Sequence, residues 1–400
     1  MATKSTERFA RVKAQLPAIQ AALAERGLDG WLLYDLRARN SVAGNLLGLG
    51  EMSRRYFVLI PAQGEPHAIT HGIEQIPWRT WPWRSTVYSA WDVLDQALKA
   101  LLTGMRRIAM EISIRDAVPI VDMVPAGVAE MVRAHGVEIV SSGDLITRFH
   151  SRWTDEQRAG HGRAANVLAD VAESTFQRLA ADVAAGRAPR EEEVRQRVVA
   201  ELTARGCGVG ADSIAARGVN AADPHYETVN GGDTFQRGDV VLLDLWAKET
   251  DDGVYADQTW MACLGPVPER AAALFSVVCE TRDACVEFLR RTWADGRMVQ
   301  GYEVDDVARA VMRRYGHDRH FIHRTGHSID GATHGMGPNI DNFETHETRA
   351  LIEGVGFSIE PGIYIPGEIG MRSEINVYIG AQGPEVTPDR RQQAMAALLE

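Results

Sequence analysis

Apolar residues recur at three- and four-residue intervals along the opening segment, at Phe9, Val12, Leu16, Ile19 and Leu23, and Gly27 follows them. That period predicts an amphipathic helix over 6–27. The pattern then shortens into apolar runs at 30–34 and 56–61, and at 67–70 beyond the turn residues Gln63, Gly64, Glu65 and Pro66. Such runs predict strands, and helices are predicted at 92–104 and 120–135 on either side of a strand at 107–112. Strands alternating with helices make a mixed sheet with helices packed on it, so residues 1–152 form a first α/β domain.

Longer helical patterns open the second part, 153–400. Thr154, Asp155, Glu156 and Gln157 supply N-terminal capping chemistry for a helix reaching 186, and Pro189 precedes another over 190–205. Strands are predicted at 239–246 and 254–261, helices at 268–292 and 301–315, and strands again at 356–360 and 371–378. Two helices and a strand pair, occurring twice, predict an internally duplicated α/β (α+β) architecture, although no repeat of residues marks it.

Composition alters this picture only by exclusion. A chain of 400 residues with 45% hydrophobic and 24% charged residues is an ordinary globular protein of two domains. Its net charge of −11 argues against nucleic acid as a partner. No segment approaches the roughly 20 consecutive apolar residues of a membrane span. The charged N-terminus lacks an apolar core of the secretory kind, so a cytoplasmic location is expected. The cysteines, Cys207, Cys263, Cys279 and Cys285, lack metal-type spacing and are expected as free thiols.

Chemistry concentrates in the second part. Asp244 lies inside the run Val240 to Trp246, which reads as a buried strand, and Asp257 lies on the strand after the turn at Asp251, Asp252 and Gly253. An ionised carboxylate there loses several kcal/mol of hydration unless a charge or a metal compensates it. A hairpin places the two side by side. Glu360, followed by Pro361 and Gly362, and Glu374, in the run Met371 to Tyr378, repeat the pattern. Four gathered carboxylates cannot all stay ionised without cations, and a pair of divalent metals is the economical solution. Six of the twelve histidines fall between His317 and His346, with His323, His327 and His334 the closest set. Imidazole supplies neutral ligands and proton carriers.

The ordered set Asp244, Asp257, His327, Glu360-Pro361-Gly362 and Arg372-Ser373-Glu374 resembles the pita-bread metallopeptidases of the creatinase, prolidase and aminopeptidase P branch, bacterial prolidases above all. The resemblance implies a creatinase-like N-terminal domain over 1–152, closing the substrate site and dimerising, before a pita-bread catalytic domain over 153–400. It implies two divalent metal ions, Mn²⁺ first and Co²⁺, Zn²⁺ or Fe²⁺ as alternatives, held by Asp244, Asp257, His327, Glu360 and Glu374. In that pattern Asp257 grips one ion, Asp244 and Glu374 bridge, and His327 with Glu360 completes the other. Glu360 is the implied general base, His334 the hydrogen-bond partner of the scissile carbonyl, and His323 and His225 are further pocket histidines. Arg372 is implied to meet the substrate's C-terminal carboxylate, or else to orient Glu374 through a salt bridge.

The implied reaction is hydrolysis of the Xaa–Pro bond in short proline-containing peptides, dipeptides first, by a homodimer. Aminopeptidase P action on longer peptides is the competing reading; a metal-dependent lyase or a non-catalytic binding protein on the same fold belongs to other classes. The chain departs from the family pattern in its long interval between Asp244 and Asp257, in Ser328 for a common glycine, in Trp260 for a frequent arginine, and in Ile375-Asn376 after Glu374. These departures leave every ligand in place and bear on the pocket. The cluster Trp78, Trp81 and Trp83 reads as packing, or as a substrate wall or dimer contact.

Overall fold

The computed structural model describes residues 8–399. Met1–Glu7 and Glu400 lie outside the described residues, and with them the first residues of the expected opening helix and part of the stretch read as lacking a secretory signal. The chain divides into two compact units, Met1–His150 and Ser151–Glu400.

The first unit runs α1 (Ala10–Glu25), β1 (Gly30–Asp35), α2 (Ser41–Leu47), β2 (Tyr56–Pro61), β3 (His67–His71), β4 (Arg84–Tyr88), α3 (Trp91–Leu102), β5 (Arg107–Met110), α4 (Ala126–Arg133), β6 (Glu138–Ser141) and α5 (Gly143–Phe149). Its six strands form one mixed sheet in the order β4-β3-β2-β1-β5-β6. β1 is buried along its whole length, which is why it reads as a continuous apolar run rather than an alternation. The helix expected over 120–135 is confined to α4, because Pro119 opens a separate short turn and Pro125 stands at the N-cap. Glu111 is fully buried, and its oxygens accept hydrogen bonds from Trp31 Nε1 (2.5 Å), Asn40 Nδ2 (2.7 Å) and Ser142 Oγ (3.0 Å). Trp78 and Trp81 pack into the same unit, Trp78 stacking on Phe9 at a centroid distance of 5.6 Å and Trp81 meeting it edge-on at 5.0 Å, and Trp83 lies edge-on to Trp81.

In the second unit, α6 (Asp155–Ala184) and α7 (Glu191–Ala204) lead into β7 (Val209–Arg217), β8 (Val240–Lys248) and β9 (Ala256–Cys263). Then come α8 (Glu269–Ala294), α9 (Gly301–Arg314), β10 (Ser328–Ile329), β11 (Gly356–Ile359), β12 (Gly362–Ile365), β13 (Ile369–Arg372), β14 (Ile375–Gly380), β15 (Gly383–Thr387) and β16 (Ala396–Ala397). The strands form sheets β16-β9-β8-β7, β10-β11-β14-β15 and β12-β13. Residues of β8 alternate between two cores: Val241, Leu243 and Leu245 pack with Leu168, Ala172 and Val198 of α6 and α7, whereas Val240 and Leu242 pack with Phe275 and Val278 of α8.

The expected duplication is visible in matched details. α7 and α9 are each 14 residues long and open with a capping box. The residue before each helix, Arg190 or Gln300, makes an isolated β-bridge, to Thr234 or Ala350. Glycines at positive φ, Gly186 and Gly206 in one half and Gly296 and Gly316 in the other, lie on either side of each helix. The run expected as one strand over 371–378 is two strands broken at Ser373 and Glu374. β11 continues into β12 across Glu360 and Pro361 in the same way. Ile359 pairs with Ile375 and Gly362 with Arg372, so both breaks occur at the same level, where the ribbon passes from one sheet to another. Pro361 has no N–H for a ladder, which favours the break.

His161 of α6 is buried away from this crossing. The tautomer that fits has Nδ1–H donating to the Tyr255 carbonyl (2.7 Å) and Nε2 accepting from Thr387 Oγ1 (2.7 Å). Burial pushes its pKa down from 6.5 to about 4, against the pull of the Tyr255 carbonyl. The unfolded chain therefore takes up a proton between pH 6.5 and about 4 that the folded chain refuses. Its contribution is complete above pH 6.5 and is lost as the pH falls through that window. Replacing His161 by Gln is expected to flatten the pH dependence of the unfolding free energy there by about 3 kcal/mol, read from urea titrations of both proteins. Equal slopes in the two proteins would contradict this.

Candidate metal centre

The hairpin of β8 and β9 places its carboxylates on one face. Asp244 pairs with Thr259 and Trp246 with Asp257, so the two aspartates are diagonal rather than opposite neighbours. Ile214 of β7 pairs with Asp244 from the other side. Glu360 and Glu374 arrive from the strand crossing, and His327 precedes β10, bound to β11 through His327 N–H to Ser358 Oγ (2.9 Å) and Ser358 N–H to the His327 carbonyl (2.9 Å). All five predicted ligands line one cavity of about 380 Å³, with His225, His323, His334 and Arg372 also on its wall. Asp257, His327 and Glu374 converge most closely, each offering a ligand atom within 4.8 Å of the others.

Electrostatics makes this cluster intolerant of isolation. Burial raises the Asp257 pKa well above the usual carboxylate range, and the charges of Asp244 and Glu360 push it further. Burial likewise raises Glu374, helped by Asp257 and Glu360. Asp244 is raised by burial, opposed by the Arg372 guanidinium. His327 is driven down to about 3, first by burial and then by the Arg324 charge, so its ring is neutral at pH 7. With Nδ1–H donating to the Ser328 carbonyl (3.2 Å), the Nε2 lone pair points at Glu360 Oε1 (3.3 Å) and Asp257 Oδ2 (3.7 Å). Three acceptors then face one another. Glu374 Oε1 is buried without a hydrogen-bond partner, while Oε2 accepts from Thr259 Oγ1 at 2.9 Å. Buried glutamates elsewhere are fully engaged: Glu111 as above, and Glu191 by Tyr226, Asn220 and two backbone N–H groups. The donor set, oxygen-rich with one imidazole, fits a divalent cation.

Arg372 has a defined set of partners around the cluster. Arg372 is buried, and four of the five N–H groups of a guanidinium are committed here: Nε to Thr259 Oγ1 (2.8 Å), Nη1 to the Pro224 carbonyl (3.3 Å) and Tyr364 OH (3.2 Å), and Nη2 to Asp244. Its ion pair is with Asp244. Asp257 stands closest to His327 and Glu374, and Asp244 is paired with Arg372.

Of the pocket histidines, His323 has both nitrogens occupied, Nδ1 by the Arg324 carbonyl (2.6 Å) and Nε2 by Tyr364 OH (2.8 Å). His334 lies edge-on to His327 with ring centroids 4.3 Å apart, and burial lowers its pKa to about 4. His225 is exposed at the rim, lining both this cavity and an adjoining one with Ile214 and Trp246.

Several contributing residues carried no sequence signal of their own. Tyr364 joins Arg372 to His323, and a tyrosine in a strand ordinarily signals only packing. Asn376 grips the Asp257 backbone from both sides, accepting from its N–H (3.1 Å) and donating to its carbonyl (2.7 Å), which gives the departure after Glu374 a purpose. Trp260 points to the opposite face and packs in the core. Trp246, two positions beyond Asp244 in β8, faces the same cavity, as strand alternation requires.

A family model described as metallopeptidase family M24 matches residues 160–381. The chain belongs to metallopeptidase family M24. Its fold is the pita-bread fold of the creatinase–prolidase branch of that family. The solved structure of dipeptidase PepE from Mycobacterium ulcerans superposes with a TM-score of 0.74 over 97% of this chain and 98% of that one, at 23% identity. A probable dipeptidase PepE of Mycobacterium tuberculosis is 27% identical over 383 residues, 92% of each chain. A Xaa-Pro dipeptidase of Lactobacillus helveticus is 33% identical over 167 residues, and that match spans 41% of this chain and 40% of the relative.

The backbone of Gly326 runs against the Ser358 carbonyl, where a Cβ would collide, whereas a Cβ on Gly331 meets nothing. Gly326→Ala is therefore expected to displace His327 and weaken divalent-metal retention about tenfold or more, with Gly331→Ala unchanged. Elemental analysis after dialysis against graded chelator measures this. Equal retention in both variants would remove Gly326 from the account.

Proposed function

We propose that this chain hydrolyses the Xaa–Pro bond of short peptides, dipeptides first, with two divalent metal ions. The observation that carries the reading is the convergence of a neutral imidazole lone pair, the unpartnered Glu374 oxygen and the Asp257 carboxylate. Asp257, His327 and Glu374 would hold one ion; Asp244 and Glu360 border the same space and extend the ligand set. Four carboxylates match the charge of two divalent cations. Manganese is the first expectation, with cobalt, zinc or iron as alternatives of similar ligand preference. The Xaa–Pro preference is supported by the relatives that bear that name. The resemblance of the motifs is the support for a homodimer working in the cytoplasm.

When bound, the ions supply Lewis acidity, polarising the scissile carbonyl and lowering the pKa of water. Glu360 lies at the edge of the ligand cluster, 3.3 Å from His327 Nε2, where its carboxylate receives the proton of the attacking water. The leaving nitrogen of proline has no proton of its own, so Glu360 must return that proton to it as the bond breaks. His334, neutral and without a side-chain hydrogen bond among the described residues, presents an N–H to the carbonyl oxygen as negative charge develops there. Arg372 fixes Asp244 and, through the Tyr364 hydroxyl, the tautomer of His323.

Gly-Pro and Gly-Pro-Gly, incubated with chelated and then manganese-restored protein, test the reading. Proline release from the dipeptide, lost on chelation and regained with metal, is the expected result, and Glu360→Gln should lower kcat by about two orders of magnitude or more. Cleavage of the tripeptide alone would mean an aminopeptidase P. Failure to cleave either peptide in the metal-restored protein would sink the hydrolase.

A further inference from the structure

With Arg372 committed to Asp244, the cavity still contains a second guanidinium. Arg324 is half-buried on the cavity wall, and its charge reaches both His327 and His334. Among the described residues its side chain makes no hydrogen bond and no ion pair. Its backbone is held on both sides. The N–H donates to Glu344 Oε1 (2.9 Å), and the carbonyl accepts from His323 Nδ1 (2.6 Å). The next residue is pinned as well, with Thr325 N–H on Asp305 Oδ1 at 3.0 Å. A guanidinium thus stands on a fixed backbone beside the candidate metal centre. Glu344, on the same wall, has Oε1 engaged by that backbone rather than by the guanidinium.

A half-buried guanidinium with no anion beside it is disposed to take one from a ligand that displaces its remaining water, and its planar fork matches a carboxylate in two parallel hydrogen bonds. A short peptide placed with its scissile carbonyl near His334 and Glu360 carries one such anion, its C-terminal carboxylate. We propose that Arg324, rather than Arg372, is the residue that binds this carboxylate. The assignment rests on the peptidase reading above and sharpens it, because an anchor for a free carboxylate one residue beyond the scissile bond selects dipeptides. Longer peptides place an uncharged amide at that point and leave Arg324 unpaired.

The test separates binding from turnover. A non-cleavable Gly-Pro analogue with a reduced peptide bond, as free acid and as C-terminal amide, is titrated calorimetrically into metal-replete wild-type, Arg324→Met and Arg324→Lys proteins. Wild type is expected to bind the acid about tenfold or more tighter than the amide. Arg324→Met should bind both equally, at the wild-type amide affinity, and Arg324→Lys should regain part of the preference. Unchanged metal content and thermal midpoint show that the variants are folded. Equal binding of acid and amide by wild type, an acid preference that survives in Arg324→Met, or no binding by wild type would each overturn the assignment. Turnover of Gly-Pro by wild type is measured alongside. Its absence, with the acid preference intact, would discard the Xaa–Pro reading and leave the anchor standing.

Discussion

Burial of like charges around a neutral imidazole is the constraint on which the second unit depends. Asp244, Asp257 and Glu374 are each held above their ordinary pKa by loss of water before any neighbour is considered. The neighbouring carboxylates then make the cost worse. Arg372, its guanidinium directed at Asp244, and the Thr259 hydroxyl, set between Asp244 and Glu374, offset it in part. Glu111, Glu191 and Glu347 give the comparison within the same chain, since each is buried but surrounded by donors: Trp31 and Asn40, Tyr226 and Asn220, Arg349. Carboxylates that serve only the fold are satisfied by the fold. Those of the cluster are satisfied only in part, with Glu374 Oε1 buried and unpartnered, and an energetic deficit of several kcal/mol per buried ion is the size that a bound cation removes.

Placement of the cluster follows from rigid parts. Asp244 and Asp257 sit within a continuous hairpin whose register is set by nine-residue β8 against eight-residue β9. Asn376 adds a second hold on Asp257 from another sheet. Glu360 and Glu374 stand where the ladder is interrupted, which frees their backbones from strand geometry and aims both side chains into the gap between sheets. His327 is tied to Ser358, two residues before Glu360. Movement of β11 therefore carries two ligands together, and the Arg372–Tyr364–His323 chain connects Asp244 to the segment that carries Arg324.

Much of this is legible in the amino-acid sequence. The acidic residues inside apolar runs at Asp244 and Glu374 identified themselves through the cost of burying charge, and the order of motifs extended that to a ligand set. Long helices were readable from capping chemistry, as at Thr154 and Gln157 of α6. Short or edge elements escaped: α2 has seven residues, and β4 is mostly exposed, so neither shows a period. The break at Ser373 and Glu374 was hidden because both flanking strands alternate in the same phase. Arg372 shows the limit most clearly. Sequence order put a guanidinium near the last glutamate, but which of its possible anions it takes depends on the diagonal register of β8 and β9, a relation between strands that spacing along one strand cannot express.

The duplication gives the cluster a further property. One half contributes Asp244 and Asp257 from its hairpin, and the other contributes His327, Glu360 and Glu374. Each half alone gathers charge that it cannot neutralise, so bringing the halves together concentrates four carboxylates around one imidazole and opposes closure of the core they share. Residues of β8 and β9 nonetheless pack with those of α8, β11 and β14 in one continuous apolar cluster, which drives closure in the opposite direction. The folded unit is where apolar burial prevails over this repulsion, and a cation bound only in the closed arrangement reverses the sign of the electrostatic contribution. Metal affinity and the stability of the second unit are therefore two readings of one free energy, because a ligand that binds only the native state stabilises it by mass action.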